Sequence, residues 1–468
     1  MRKKQLFVKN IEKMTRFIVD QQVEDIEMPE NLKLNTFLQE FQTNCQKPEC
    51  NFGNYGFAFG QSPFPIPTPV KNALIKNADK GAYAPVAGIL ELREAIAQYN
   101  KKYFQIEIDP KRIFVGPGTK ELIFNLLEIL HGTIILPTPA WLGYLPQIRF
   151  LRKNFHMLPV RANGKITPND LEHLALRLHD RQKILILNNP NNPTGLVYSR
   201  LELEELTDVC RTHNIIVISD EIYAQTTYQI NNFLSMGKVY PEGTFVTNGL
   251  SKSHACGGYR LGYVIFPQHT GEIREQFKKI LATEYTATST PIQHAAIAGF
   301  VDDPEIEEYF EITRKIHQIM GEYTYRELNS IEGVLTTKPE ATFYLLANFN
   351  NYSDDFSANK IFTSQKLSES LILHPYHTAI VGGDSLVLER TDFRARIAFV
   401  DYNGENAMEN YQNNPPKTSS DKQFFVEQNA PKIVNGIKMI ERFLGDIKNN
   451  SLKKAQHPPG TITVSKSH

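Results

Sequence analysis

A lysine amine that attacks a carbonyl carbon must be partly desolvated and held in place. Lys252 stands in a segment suited to that task, TNGLSKSHACGGYRLGY over residues 247–263. The pair Gly257-Gly258 lets backbone approach a ligand closely, and Arg260 offers the planar fork that matches a phosphate. Ser251 adds a hydroxyl beside the lysine. Alone, a lysine in a loop is usually a solvated surface residue. Its neighbours in other segments change that reading.

In IIVISDEIYA (residues 215–224) a β-branched run ends on Asp220 and Glu221, with Tyr223 close behind. Ligands of parallel α/β sheets sit beyond the carboxyl ends of the strands, which is where Asp220 falls. A carboxylate there can pair with a protonated ring nitrogen; in isolation the same Asp would read as a helix N-cap. The segment NNPNNPTG, residues 188–195, follows the apolar run KILIL; two Asn-Pro steps make a rigid, non-helical loop that can present the Asn192 amide. In VGPGTKELIFNLL, residues 115–127, a glycine-rich turn opens an amphipathic helix at Thr119. The N–H groups of Gly118, Thr119 and Lys120 would lie at a helix N-terminus, a favourable place for a phosphate. The only tryptophan, Trp141, lies at another strand end in PTPAWLGY, where a flat ring can stack on a ligand or simply pack.

The elements that must position these residues are legible as a pattern. From Lys71 to roughly Phe300 short runs rich in Ile, Val, Leu and Phe (RIFVG, KILIL, NIIVISD, TFVTNG, LGYVIF) alternate with amphipathic stretches such as SRLELEELTDVCRTH. This predicts an α/β domain with a mainly parallel sheet. After about Glu305 a long helical stretch leads to strand-like VLTTKP, TFYLLANF and RARIAFV and a closing helix KIVNGIKMIERFLGDI, the pattern of an α+β domain. The expected division is 1–70 as an N-terminal segment joining the smaller domain, 71–305 as the large domain, 306–448 as the small one, and 449–468 as a disordered tail. Helices are expected near Asn10–Gln21 and Asn31–Thr43, an extended Gly/Pro-rich loop between Phe52 and Pro69, and a surface loop over Glu409–Asp421.

Composition excludes several classes. With 468 residues, 51 basic and 51 acidic side chains, the chain has no formal net charge, so no nucleic-acid or anionic-membrane partner is expected. No apolar run is long enough for a membrane span or signal peptide, and a cytoplasmic protein is expected. Four cysteines (Cys45, Cys50, Cys210, Cys256) are too few for a disulfide scaffold, and their spacing gives no zinc pattern, so no metal is expected.

Taken together, YAPVAGILELREAIAQY, GPGTKEL, PAWLGY, NNPNNPTG, SDEIY, SK…GGYRLG and RIAF resemble, in order, the motifs of the class I/II aminotransferases, an aspartate aminotransferase-like family of pyridoxal-phosphate (PLP) enzymes of fold type I. The resemblance runs from about Gly60 to Phe443 and implies a seven-stranded, mainly parallel sheet sandwiched by helices, plus a smaller α+β domain. It implies that Lys252 carries the cofactor, Arg260 binds its phosphate with the 118–120 turn, Asp220 pairs with the ring nitrogen, and Tyr223 and Asn192 donate to the ring hydroxyl. Trp141 matches the ring-stacking aromatic. Tyr83 matches a tyrosine that reaches the phosphate of a neighbouring subunit, which implies a homodimer. Gly60 and Arg396 match the positions that hold the substrate carboxylate. Arg394 shares a strand face with Arg396 and is held in reserve. The implied activity is transfer of an amino group from an L-amino acid to a 2-oxo acid. A PLP-dependent lyase or decarboxylase, and an amino-acid-sensing regulatory protein, are the alternatives. Four positions depart from the family pattern: Gly249 stands where a hydroxyl residue is frequent, Pro117 lies in the phosphate turn, Gly382-Gly383 replaces Pro-Gly, and PEATFY replaces PxGAFY.

Overall fold

In a computed structural model the protein is described at Val23, Leu32, Lys33, Leu34, Thr36 and residues 54–449. The helix expected near Asn10–Gln21, most of that near Asn31–Thr43, Cys45, Cys50 and the expected tail beyond Asn449 lie outside the described residues.

Thirteen strands are described: β1 (Tyr55–Gly56), β2 (Ile113–Gly116), β3 (Thr133–Thr138), β4 (Phe155–Pro159), β5 (Lys183–Asn188), β6 (Ile215–Asp220), β7 (Thr244–Gly249), β8 (Gly262–Ile265), β9 (Leu335–Thr336), β10 (Tyr344–Asn348), β11 (Thr378–Ala379), β12 (Val381–Gly382) and β13 (Arg394–Ala398). Seven of them form one sheet in the order β2-β8-β7-β6-β5-β3-β4. All its pairings are parallel except those of β8, which runs antiparallel to both β2 and β7. β2, β5, β7 and β8 are buried along their whole lengths, which is why they read as apolar runs rather than as alternating patterns. The crossover from β3 goes outward to β4 and that from β5 goes the other way to β6, so the strand order reverses between β3 and β5. Such a reversal opens a crevice at the carboxyl ends of the strands.

The crossover helices start where local chemistry supplies a cap. Arg200–Thr212 begins with a capping box, Ser199 accepting from the Glu202 N–H while Glu202 returns the bond. Such a cap contributes about 1 kcal/mol. The 27-residue helix Pro304–Ser330 starts on Asp303 and Pro304 and leads to a second sheet, β12-β13-β10-β9, which is antiparallel. β1 pairs with β11, tying the segment before the first long helix to the region after residue 370. One apolar cluster runs from Val115, Val246 and Tyr263 under the large sheet to Leu345, Ile397 and Phe399 in the small one. Among the described residues no helix is long and apolar enough to cross a membrane.

The surface loop expected over Glu409–Asp421 is much shorter. Helix Gly404–Asn413, capped by Asn403, includes Glu409–Asn413, and helix Ser419–Asn429 begins with a second capping box, Thr418 with Asp421. The reading as a loop followed the Pro-Pro step and the asparagines; the two caps confine the irregular backbone to the few residues between.

Glu221, fully buried behind the sheet edge, holds the chain at residues 235–236. Its Oε1 accepts from Ser219 Oγ (2.9 Å), Ser235 Oγ (2.8 Å) and the Met236 N–H (3.0 Å). Burial pushes its pKa up to about 7 against these bonds, which pull the other way. A folded-state pKa above the unfolded one means that the protonated carboxyl stabilises the fold. That contribution is complete below about pH 4.5 and is lost as pH rises towards about 7, a change of roughly 3 kcal/mol. Glu221→Gln, which keeps the accepting oxygen, is therefore expected to flatten the fall in thermal midpoint between pH 5 and 7 relative to the parent protein. Equal slopes in a melting series across that range would contradict this.

Candidate functional site

The motif residues converge because strands β2, β3, β5, β6 and β7 all end at one edge of the sheet. There Asp220 pairs with Asn188 of β5 on one side and Thr247 of β7 on the other. β8 enters this edge from the opposite direction, so Gly262 lies level with Gly116 and Gly249. Arg260, two residues before β8's first glycine, is thereby delivered to the turn after β2.

That turn is a cradle made by the absence of side chains. A Cβ on Gly118, whose φ is +99°, would lie 2.6 Å from the Arg260 Nη2, and one on Gly262 would lie 2.7 Å from the Thr119 nitrogen. The helix Thr119–Ile129 has Gly118 as its N-cap and no side chain bonding its first N–H groups. Thr119 is half-buried and Lys120 exposed. Arg260 takes left-handed backbone angles (φ 51°, ψ 53°), an unusual and costly choice for an arginine. Its guanidinium donates to the Gly257 carbonyl (2.9 Å) and the Pro117 carbonyl (3.2 Å). The Thr119 and Lys120 N–H groups at the helix start and a guanidinium, around a space that excludes a methyl group, make an anion site, while the Gly118 N–H is engaged by the Gly116 carbonyl at 2.7 Å.

Lys252, half-buried in the turn after β7 with Ser251 beside it, donates from Nζ to the Gly60 carbonyl at 2.7 Å. The amine also lies 5.7 Å from the ring centres of both Tyr223 and Phe343. Asp220 is 5% exposed; Tyr144 donates its hydroxyl to Oδ2 at 2.6 Å and Thr247 approaches Oδ1 at 3.4 Å. Burial raises the Asp220 pKa, while the Tyr144 bond and the Lys252 charge oppose the rise. A carboxylate in that state gains from a cationic partner, as a protonated ring nitrogen would be.

The loop 188–195 is stiffened by its own asparagines. Asn188 accepts from the Asn192 N–H (2.7 Å) and donates to the Asp220 carbonyl (2.9 Å), and Asn191 accepts from the Thr194 hydroxyl (2.8 Å). Asn192, buried, takes the Arg396 Nη1 on its Oδ1 at 3.2 Å. Arg396 is only 2% exposed, and its other contacts are the Ala58 carbonyl at 2.6 Å from Nη2 and the Tyr344 ring at 4.6 Å. Its Nε is buried without a partner among the described residues. Arg394 instead folds back on Asp392 at the strand entrance, with Nε 2.9 Å from the carboxylate. Gly60, Asn192, Tyr223, Lys252 and Arg396 thus share one chain of contacts through Tyr344, and Asp220 lies within reach of the Lys252 charge. Trp141, half-buried, meets Tyr144 edge-on at 5.0 Å. Tyr83 takes part in none of these bonds and is 91% exposed.

Two residues of this chain of contacts escaped sequence reasoning. Tyr144 closes the PAWLGY segment and Tyr344 closes PEATFY, yet both read as packing tyrosines. Their signal is a hydroxyl that must find a partner when buried.

The sequence profile described as "Aminotransferase class I and II" matches residues 51–406. This chain belongs to the class I and II aminotransferases. It is 33% identical over 345 residues to a protein of Aquifex aeolicus (strain VF5) named "Probable aspartate/prephenate aminotransferase", covering 70% of this chain and 83% of that one. It is 30% identical over 331 residues to the aspartate aminotransferase of Bacillus sp. (strain YM-2), covering 67% and 81%. The solved structure of the aromatic aminotransferase from Pyrococcus horikoshii OT3 superposes with a TM-score of 0.69 at 29% identity, over 83% of this chain and 95% of that one. The aspartate aminotransferase from Thermus thermophilus with maleate has the same fold, with a TM-score of 0.73 at 22% identity over 91% and 100%.

An aminotransferase of this family depends on pyridoxal phosphate and moves an amino group from an amino acid to a 2-oxo acid. The donor set fits that cofactor: an amine at Lys252, a buried carboxylate at Asp220, and a methyl-excluding cradle with Arg260. The departure at Gly249 has a packing cause. A Cβ there would lie 2.7 Å from both the Gly262 Cα and the Leu261 carbonyl oxygen, so no hydroxyl residue fits between β7 and β8. Gly249→Ser is expected to lower stability by about 1–3 kcal/mol, read as a lower denaturation midpoint. An unchanged midpoint would contradict the close approach.

Proposed function

We propose that Lys252 is the residue that carries pyridoxal phosphate and moves the proton during amino transfer, and that Arg396 holds the α-carboxylate of the amino acid. The single observation that carries this is the short contact chain Lys252–Gly60–Tyr344–Arg396–Asn192, which puts a half-buried amine and a buried, incompletely paired guanidinium in one space. Bound pyridoxal phosphate supplies an electrophilic carbon and a ring that accepts the electrons of the Cα–H bond. Every other task falls to the chain. The Thr119 and Lys120 N–H groups, Ser251 and Arg260 hold the phosphate. Asp220, steadied by Tyr144, faces the ring nitrogen; Tyr223 and Asn192 donate to the ring hydroxyl, and Trp141 covers one face. Arg396 and the Gly60 backbone would hold the α-carboxylate and so orient the Cα–H bond for proton removal. The Lys252 amine would act as the base that takes the proton from the substrate Cα and as the acid that returns it during transfer. Positioned acid–base groups of this kind contribute about 10²–10⁴-fold.

Aspartate recurs in the names of the relatives, which makes it the first donor to test. The 91% exposure of Tyr83, with Ile75 and Leu90 also exposed, supports a homodimer in which Tyr83 reaches the phosphate of the partner's site. The chain divides at about residues 70 and 305 into an N-terminal segment, a large cofactor-binding domain and a smaller domain ending near residue 448. A cytoplasmic location accords with the low cysteine count, four in 468 residues.

Lys252→Ala should abolish the visible absorbance of the lysine-bound cofactor and lower kcat by about 10²–10⁴-fold or more. Retention of both would refute the assignment. Arg396→Leu should raise KM for every amino acid by about 10–100-fold, the loss of a charged two-pronged bond. An unchanged KM, with the effect found instead in Arg394→Leu, would move the carboxylate site to Arg394.

A further inference from the structure

Tyr344 occupies the middle of the contact chain and none of the motif residues accounts for it. It is 2% exposed on β10, next to β13, and the register places Ala398 opposite it and Arg396 opposite Leu346, so Arg396 is its diagonal neighbour on the shared face. Two parts of the side chain do different things. The ring face carries the Arg396 guanidinium at 4.6 Å, within the range of a cation–π contact. The hydroxyl lies 3.0 Å from the Tyr223 hydroxyl and 3.3 Å from the Gly60 carbonyl. The same carbonyl accepts the Lys252 amine at 2.7 Å. No side chain could stand at Gly60 without meeting this hydroxyl, since a Cβ there would fall 1.7 Å from it.

We propose that Tyr344 is a positioning residue that joins the carboxylate-binding arginine to the cofactor-facing tyrosine: its ring fixes Arg396, and its hydroxyl, by giving its one proton to Tyr223 rather than to the Gly60 carbonyl, orients the Tyr223 hydroxyl. This rests on the roles assigned above to Lys252, Tyr223 and Arg396. Two phenols 3.0 Å apart have two protons and must order them. The Tyr344 proton has two acceptors, the Gly60 carbonyl at 3.3 Å, already taken by the Lys252 amine, and the closer Tyr223 oxygen at 3.0 Å. Donation from Tyr344 to Tyr223 leaves the Tyr223 proton to point at the ring hydroxyl oxygen. A donor that itself accepts a bond donates more strongly. The tyrosine thus strengthens the Tyr223 bond to the cofactor and fixes the arginine that will meet the substrate.

The two halves of the side chain can be removed separately. Tyr344→Phe keeps the ring and removes the hydroxyl; Tyr344→Leu removes both. The measurement is the pH titration of the visible absorbance of the cofactor-loaded enzyme, beside kcat, KM and the thermal midpoint. In Tyr344→Phe the weakened Tyr223 bond should move the titration to higher pH by about 0.3–1 unit and lower kcat about 2–10-fold, the range for one neutral hydrogen bond. KM should stay within about two-fold, because the ring still supports Arg396. In Tyr344→Leu the same spectral shift should be joined by a rise in KM of about 3–30-fold. An unmoved titration in a folded Tyr344→Phe enzyme would overturn the role of the hydroxyl, and an unmoved KM in Tyr344→Leu would overturn that of the ring. Should the parent enzyme keep its visible band after Lys252→Ala, the underlying assignment fails instead, so the two failures are distinguishable.

Discussion

Three glycines stand abreast at one edge of the large sheet, Gly116 beside Gly262 beside Gly249, and the site depends on their closeness. A methyl on Gly262 would strike the Thr119 nitrogen and one on Gly249 would strike the backbone of β8, at 2.7 Å in each case. With no side chains between them, the antiparallel β8 can lie tight between β2 and β7. That brings the turn of Gly118, the guanidinium of Arg260 and the lysine after β7 to the same edge of the sheet. Anion cradle and amine are therefore fixed by backbone packing, the least adjustable part of a fold. A larger residue at Gly249 would push β8 away from β7, and one at Gly262 would push it away from the Gly118–Thr119 turn.

Around this edge the electrostatics are those of burial opposed by specific bonds. Asp220 and Glu221 are neighbours, both buried, both with raised pKa values, yet they serve different ends. Glu221 points away into Ser219, Ser235 and Met236 and anchors a loop. Asp220 is held by the Tyr144 hydroxyl, and that bond and the charge of Lys252 oppose the rise that burial imposes on its pKa. Low dielectric makes such a carboxylate a strong partner for a positive ring and a poor one for water. Arg396 is in the complementary condition, a buried cation whose Nε is unpaired and whose nearest companions are neutral.

Much of this was legible in the sequence because each functional side chain follows a strongly apolar strand. Asp220 ends IIVIS, the Asn192 loop follows KILIL, Lys252 follows TFVTNG, and strand ends are where α/β sheets place ligands. The seven-stranded, mainly parallel sheet was expected from the family resemblance and is present. Tyr144 and Tyr344 were not legible as site residues, since a tyrosine inside an apolar run looks the same whether its hydroxyl serves packing or chemistry. The helix termini at Asn413 and Ser419 were hidden by Pro-Pro and by asparagines, although the Thr418–Asp421 cap was there to be read. Gly249 looked like a weakness in the motif; only the distance to Gly262 explains it.

The central claim is that one lysine among many carries the cofactor. Reduction of the loaded enzyme with borohydride, then proteolysis and peptide mass spectrometry, tests it most directly. The account predicts the phosphopyridoxyl adduct on the peptide containing Lys252. An adduct on the peptide containing Lys120, the lysine at the phosphate turn, with Lys252 unmodified, would contradict it.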